Sequence, residues 1–335
     1  MSFASLVDPI LSRHDLTPIQ AEALMGWLMS GEATDAQIGG ALLALRVKGC
    51  TTKELAAFTR AMRSRMSFIT HGYDDLVDTC GTGGGLPTFN LSTSAAIVAA
   101  AAGVRVAKHG NRSMSGQGSA DVLESLGVPF IAEPEAALHQ LETSGIVFLF
   151  APSHHPAMRH VAAARKELGL RTVFNQLGPL ANPAGARRQL IGVYDRGLMR
   201  SMGEALKELD CDRALLVHGE DGLDEISPIA ITRFVKVEKG RVSDGTFTPA
   251  DFGIEPISPE DLKPGLDVHA SALLLLEAIT DPDSPRSKAV QPNAAAAIWL
   301  GGGAPTIREA AELARTTIAS GAARRKLEAL REVAA

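Results

Sequence analysis

Hydrophobic residues in the first 66 positions recur at helical spacing: Leu24 and Leu28, then Ile38, Leu42 and Leu45, then Leu55, Phe58 and Met62. Apolar residues three and four apart line one face of a helix, so this run predicts amphipathic helices. Capping boxes mark the starts, with Thr17 and Gln20, Thr34 and Gln37, Thr51 and Glu54. In each, the threonine hydroxyl can accept the amide three residues on while that residue's side chain reaches back. Pro18 falls at a first helical position, where its missing N–H costs nothing, and Gly31 and Gly49 punctuate the ends. The segments between the boxes are unlike one another, so no repeat is read.

Beyond a linker at 67–75 the pattern changes. Short apolar runs at 77–80, 104–107, 146–150, 190–194 and 214–218 read as strands. Helical patterns at 94–102, 120–126, 134–143, 156–168 and 196–209 separate them. Strands that alternate with helices predict a largely parallel sheet. Gly178-Pro179 and Asn182-Pro183 predict a turn-rich crossing. Residues 232–248 read as a hairpin with Gly240 and Gly245 in its turns, 249–267 as irregular, and 292–300, 307–320 and 322–333 as closing helices. The expected class is α/β: a small all-helical domain at 1–70, joined by helices from about 160–185, and a larger domain at 75–335 with a mostly parallel sheet flanked by helices.

The polar stretches after the strands carry the candidate chemistry. Gly81–Gly85 holds four glycines and Thr82, and Asn90, Ser92 and Thr93 stand where the next helix starts. A loop feeding a helix N-terminus gathers unpaired N–H groups and the positive end of a dipole, which suits phosphate. Glycine loops between strand and helix are also commonplace, and this one matches neither the dinucleotide fingerprint nor the P-loop. The next strand ends in Lys108, His109, Gly110, Asn111 and Arg112, and that pairing favours a polyanion site. In open α/β sheets ligands bind at strand C-termini.

Two further loops belong to the same edge, SHHP at 153–156 and GLDEIS at 222–227. Asp224-Glu225 in isolation is a solvated acidic pair. Beside anion-binding loops, it can join Ser92 in holding Mg²⁺, a hard ion that takes oxygen ligands and bridges to phosphates. Adjacent His154 and His155 point different ways and have no third ligand at metal spacing, so zinc is not expected. One of them lines a pocket or caps a helix. His109 alone is a packed loop histidine; its company favours a pocket. Arg159, Arg165 and Arg171 do not share one helical face, so at most some of them reach a site.

Composition narrows the picture. The 335 residues are 45% hydrophobic but only 4% aromatic, so the core must be built from Ala, Leu, Val and Ile. A net charge of −5 without a basic block argues against nucleic acid as a partner. Cys50, Cys80 and Cys211 are far apart and suggest a reducing compartment. Cys80 reads as a small strand-end residue. No leader pattern or membrane-length apolar run is present, so a soluble cytoplasmic protein is expected.

Taken together, the motifs resemble the anthranilate phosphoribosyltransferases. The matching segments are GTGG at 81–84, TFNLST at 88–93, KHGNR at 108–112, GSAD at 118–121, HPAMRHV at 155–161, RKELGLRTVFN at 165–175, LGPLANP at 177–183, VHGEDGLDEIS at 217–227 and NAAAAIWLGG at 293–302. The resemblance covers essentially the whole chain. It implies that PRPP binds with Mg²⁺ and that the amine of anthranilate displaces pyrophosphate at C1 of the ribose. It assigns PRPP to Gly81, Thr82, Gly83, Gly84, Asn90, Ser92, Thr93, Lys108 and Ser119. Anthranilate falls to Gly81, His109, Asn111, His155 and Arg165, and magnesium to Ser92, Asp224 and Glu225. No strong base is implied, because an aromatic amine is already neutral and nucleophilic. A homodimer formed through the helical domain is also implied.

Two features depart from the family pattern. Gly85 stands where the family usually has aspartate after GTGG, and the loop to Asn90 is one residue shorter. The serine-rich loop after KHGNR, here SMSGQG, is also one shorter. A smaller difference is Gln176, in place of the usual apolar residue in FNxLGPL. The departures leave two other readings open: a paralogous phosphoribosyltransferase or phosphorylase with another aromatic acceptor, or a non-catalytic relative that binds nucleotides or nucleic acid. The negative charge and the retained Asp224-Glu225 speak against the second.

Overall fold

Five short apolar runs become the parallel part of a seven-stranded sheet. The computed structural model describes residues 2–113 and 116–332. The strands are β1 (Val77–Gly81), β2 (Val106–Gly110), β3 (Ile146–Phe150), β4 (Arg188–Gly192), β5 (Arg213–Gly219), β6 (Thr232–Glu238) and β7 (Arg241–Phe247). Their order across the sheet is β3-β2-β1-β4-β5-β6-β7. The first five strands in sequence run parallel, and β6 and β7 complete the edge as an antiparallel hairpin.

The helices are α1 (Phe3–Leu11), α2 (Pro18–Leu28), α3 (Asp35–Lys48), α4 (Thr52–Arg63), α5 (Leu91–Ala101), α6 (Ser119–Ser125), α7 (Pro134–Ser144) and α8 (Ala151–His154). Then follow α9 (Arg159–Leu168), α10 (Val173–Leu180), α11 (Met199–Glu208), α12 (Val268–Thr280), α13 (Pro285–Gly301), α14 (Ile307–Ala319) and α15 (Ala322–Glu332). All three predicted capping boxes form, at the starts of α2, α3 and α4.

Side chains along a strand alternate between faces. Leu190, Leu215 and Val217 enter the core on one face of the sheet, and Ile191, Ala214 and Leu216 the core on the other. Both faces are covered, which is why these strands read as unbroken apolar runs. On the first face α5 packs against α13. Ala95, Ala96, Ala99 and Ala100 meet the run Ala294, Ala295, Ala296 and Ala297, all buried. Small side chains let two helix backbones approach, and this is how a core poor in aromatics fills its volume. On the second face α11 packs against α4, while α9 and α10 join the four N-terminal helices in one continuous core.

Several elements differ from the sequence expectation. β2 starts at Val106, so Lys108 and His109 lie within the strand, paired in register with Phe148 and Leu149. The Gly178-Pro179 crossing is instead the end of α10, which keeps Pro179 inside it. Burial of Phe174, Leu177 and Leu180 outweighs the one backbone bond a proline removes. Gly245 is in β7, not a turn, because a Cβ there would lie 2.3 Å from the Phe234 ring. Helix α12 lies where no element was read. Its start is fixed by Asp267, which accepts the Ala270 amide at 2.7 Å. Helix α13 begins at Pro285, not Pro292, with the Ser284 hydroxyl accepting the Ser287 amide at 3.0 Å. The 67–75 linker is pinned: Ile69 N–H donates to the Pro183 carbonyl at 3.0 Å, and His71 Nε2 lies 2.6 Å from the Ala184 carbonyl.

Candidate active site

Strands β1, β2, β3, β4 and β5 bring Gly81, Gly110, Phe150, Gly192 and Gly219 to one edge of the sheet. The chain lays β2 and β3 on one side of β1 and β4 on the other, so the connections diverge between β1 and β4. That divergence opens a crevice at the strand C-termini. The glycine loop is fastened across it. Thr82 N–H donates to the Gly192 carbonyl at 2.8 Å, its hydroxyl lies 3.2 Å from the same oxygen, and Tyr194 N–H donates to that hydroxyl at 3.0 Å. Gly83 and Gly84 follow with φ of 67° and 86°, a backbone that favours glycine.

The acidic loop settles onto this seam from β5. A Cβ on Gly192 would lie 1.8 Å from the Asp224 carbonyl oxygen, and one on Gly85 2.1 Å from Asp224 Oδ1. Asp224 thus touches the glycine loop. Burial, and then the neighbouring Asp224 charge, push the Glu225 carboxyl upward, while Lys108 and the Ser92 amide pull it back. Burial also raises Asp224, against a hydrogen bond from Gly85 and the charge of Arg171. Ser92 is the meeting point, since Lys108 Nζ also donates to its hydroxyl at 3.2 Å and to the Thr79 carbonyl at 2.5 Å. Burial lowers the Lys108 pKa, and Cys80, Asp78 and Glu225 hold it up.

Asn90 is the residue before α5 but does not cap it with its side chain; its Nδ2 donates to the Gln117 carbonyl at 3.1 Å. Its Oδ1, and the hydroxyl of Thr93, are buried without a partner. Ser119 opens α6, with its hydroxyl donating to the Asn111 carbonyl at 3.3 Å, and the Asn111 side chain accepts the Arg112 amide at 2.8 Å. Gln117 N–H donates to the Ser113 hydroxyl at 3.0 Å, and residues 114 and 115 of the SMSGQG loop lie outside the described residues.

His109 and His155 stand with ring centroids 5.1 Å apart. Both nitrogens of His109 and Nε2 of His155 are buried with no well-formed hydrogen bond among the described residues, the Gly178 and Ala181 backbone being the polar neighbours that act on them. Burial holds both rings neutral, reinforced by the neighbouring histidines, with His155 down to about 4. Arg165, on α9, is half-buried with its guanidinium carbon 5.1 Å from the Phe174 centroid. Among the described residues it makes no hydrogen bond or ion pair, and burial lowers its pKa. Among the described residues, no hydrogen bond or ring contact joins Arg165 to the histidines.

Sequence reasoning gave no role to several residues that hold this site. Asp78 Oδ1 accepts the His109 amide at 3.0 Å, and its Oδ2 accepts Asn182 Nδ2 at 2.8 Å. Burial raises its carboxyl to about 6. Donor atoms of Asp78, Cys80 and His109 lie within 4.8 Å of one another, a spacing a metal could use. Both Asp78 oxygens are already engaged, however, and the Lys108 ammonium stands beside them, so we read the group as scaffold. Asn175 Nδ2 donates to the Thr82 carbonyl at 3.4 Å, and the Arg171 guanidinium donates to the Gly84 carbonyl. Both belong to the RTVFN segment, which was the available signal.

The family model described as "Glycosyl transferase family, a/b domain" matches residues 73–324, and "Glycosyl transferase family, helical bundle domain" matches 4–66. The anthranilate phosphoribosyltransferase of Methanosphaerula palustris is 50% identical over 325 residues, 96% of this chain and 95% of its own. The crystal structure of the Thermus thermophilus anthranilate phosphoribosyltransferase superposes with a TM-score of 0.91 at 42% identity, covering 98% of each chain. The Saccharomyces cerevisiae enzyme in complex with PRPP and Mg superposes with a TM-score of 0.88 at 27% identity, covering 99% of this chain and 97% of that one.

Proposed function

The chain belongs to the anthranilate phosphoribosyltransferases, and from that premise we infer how its own residues carry the reaction. The activity is transfer of phosphoribose from PRPP to the amine of anthranilate, with release of pyrophosphate, a step of tryptophan biosynthesis. Gly81, Thr82, Gly83 and Gly84, with Asn90, Ser92, Thr93, Lys108 and Ser119, hold PRPP. The supporting observation is the convergence on Ser92 of the Lys108 ammonium and the Glu225 carboxylate at the start of α5. Fixed amides and a buried cation can neutralise the departing diphosphate without reorganising.

Ser92, Asp224 and Glu225 fit a divalent cation. Burial raises both carboxyls, and the Asp224 charge raises Glu225 further, so a cation bound between them would offset the cost of their burial. Mg²⁺ bound there would add charge against the diphosphate. His109, Asn111, His155 and Gly81 flank the acceptor, and Arg165 takes its carboxylate. The aromatic amine is already unprotonated at neutral pH, and burial lowers the pKa of both imidazoles and so makes them weak bases, which leaves positioning to carry the reaction. We further assign the helical region about 1–70, joined by helices within 160–185, as one working domain and 75–335 as the other. A homodimer completes the proposal, with a cytoplasmic setting supported by free Cys50, Cys80 and Cys211. Among the described residues, no helix is long and apolar enough to cross a membrane.

The test follows anthranilate fluorescence. Its loss should require PRPP and Mg²⁺ together. Paired Asp224→Asn and Glu225→Gln substitutions should raise the Mg²⁺ needed for half-maximal rate by roughly tenfold or more. Equal rates in the presence of a chelator would overturn the metal assignment.

A further inference from the structure

Arg171 joins three parts of the molecule. Its guanidinium donates to the Gly84 carbonyl and lies over the Tyr194 ring, its carbon 4.2 Å from the centroid. Its own backbone carbonyl accepts a hydrogen bond from Arg46, on α3. The Gly84–Gly85 peptide is therefore held from both sides: its C=O meets Arg171, and Gly85 lies against the Asp224 carboxylate, so close that a Cβ there would be 2.1 Å from Oδ1.

In a trans peptide the C=O of one residue and the N–H of the next point in opposite directions. Holding the carbonyl outward therefore fixes where the amide aims. The peptide is flanked by two glycines, which makes a flip sterically cheap. A flipped peptide would set a carbonyl against Asp224 and turn the amide away from the crevice. We propose that Arg171 is a positioning residue that locks the 84–85 peptide in its donor-facing orientation, and that Arg46 ties this lock to the helical region. Tyr194 keeps the guanidinium flat, a task for which Lys is no substitute. Close packing supports the reading: a Cβ on Gly84 would lie 2.4 Å from Arg171 Nε.

The inference rests on the proposed reading of residues 81–84 as the PRPP loop, and its test separates the two. Arg171 is exposed, so Arg171→Ala and Arg171→Lys should fold. Arg171→Ala should raise the KM for PRPP roughly tenfold, leave that for anthranilate nearly unchanged, and speed hydrogen exchange at the Gly85 amide. Arg171→Lys should not restore the KM, whereas added guanidinium ion should partly rescue the alanine variant. Arg46→Ala should move KM and exchange the same way, by less. An unchanged Gly85 exchange rate, full rescue by lysine, or an equal rise in both KM values would overturn the lock. Failure of the wild-type protein to consume anthranilate would instead sink the functional reading, and the exchange measurement would still decide the role of Arg171.

Discussion

A half-buried guanidinium without a counter-ion is an expense a folded protein keeps only for a reason. Arg165 is such a group, lying over Phe174 with no acceptor among the described residues. An arriving carboxylate gains a planar, partly desolvated partner and can bind it in bidentate fashion. Arg165→Ala should therefore raise the KM for anthranilate at least roughly tenfold while moving that for PRPP far less. Steady-state kinetics with each substrate varied in turn would check this, and equal effects on both would remove Arg165 from the acceptor side. At this scale Lys108, Asp224 and Glu225 were picked out by the polar motifs they stand in, and the fold brings them together, Lys108 from within β2. Asp78 was not, because a carboxylate within an apolar strand declares its role only when His109 and Asn182 are seen to donate to it.

Among the elements, the loop 81–85 carries the sharpest departure. Gly85 has no room for a side chain, since Asp224 Oδ1 occupies the space. Gly85→Asp would force two carboxylates together and push one away from its place. We expect that single change to raise the KM for PRPP by roughly tenfold. Restoring the full-length loop by inserting one aspartate between Gly84 and Gly85 should lower the KM and leave that for anthranilate nearly unchanged. If PRPP binds the native and lengthened proteins equally well, the shorter loop is a neutral variation. Element starts with a local chemical signature were readable, and the three threonine boxes formed as expected. Pro292 misled because proline is so often a helix start, and α12 escaped because its leucine run has no clear period.

For the whole molecule, the α-helical end is the part left unfinished. Ile19 and Val47 are 74% and 73% exposed, and Leu43 lies one helical turn from Val47 on α3. Exposed apolar side chains on α2 and α3 suit a second copy. Light scattering at micromolar concentration should give twice the 35.2 kDa chain mass, and Val47→Glu combined with Ile19→Glu should return it to one. A native monomer at that concentration would count against pairing. The class of fold was legible from the alternation of strands and helices. The strand order was not, because periodicity says which residues are buried and nothing about which strand lies beside which.

That order has a consequence for how the chain comes together in time. β1 pairs with β2 and β4, and its partner across the crevice begins over a hundred residues later. β5 pairs with β6 and β6 with β7, by contrast, each with its immediate successor. Contacts that close long loops form slowly, whereas local hairpins form early. The β1–β4 seam is therefore among the last parts of the sheet to zip, and the strand bearing the glycine loop leaves the ribosome long before its partner exists. Until then neither half of the crevice has a floor. The PRPP site proposed on this seam would then be complete only on a chain that has finished folding, and PRPP binding during refolding should appear no earlier than the last folding phase.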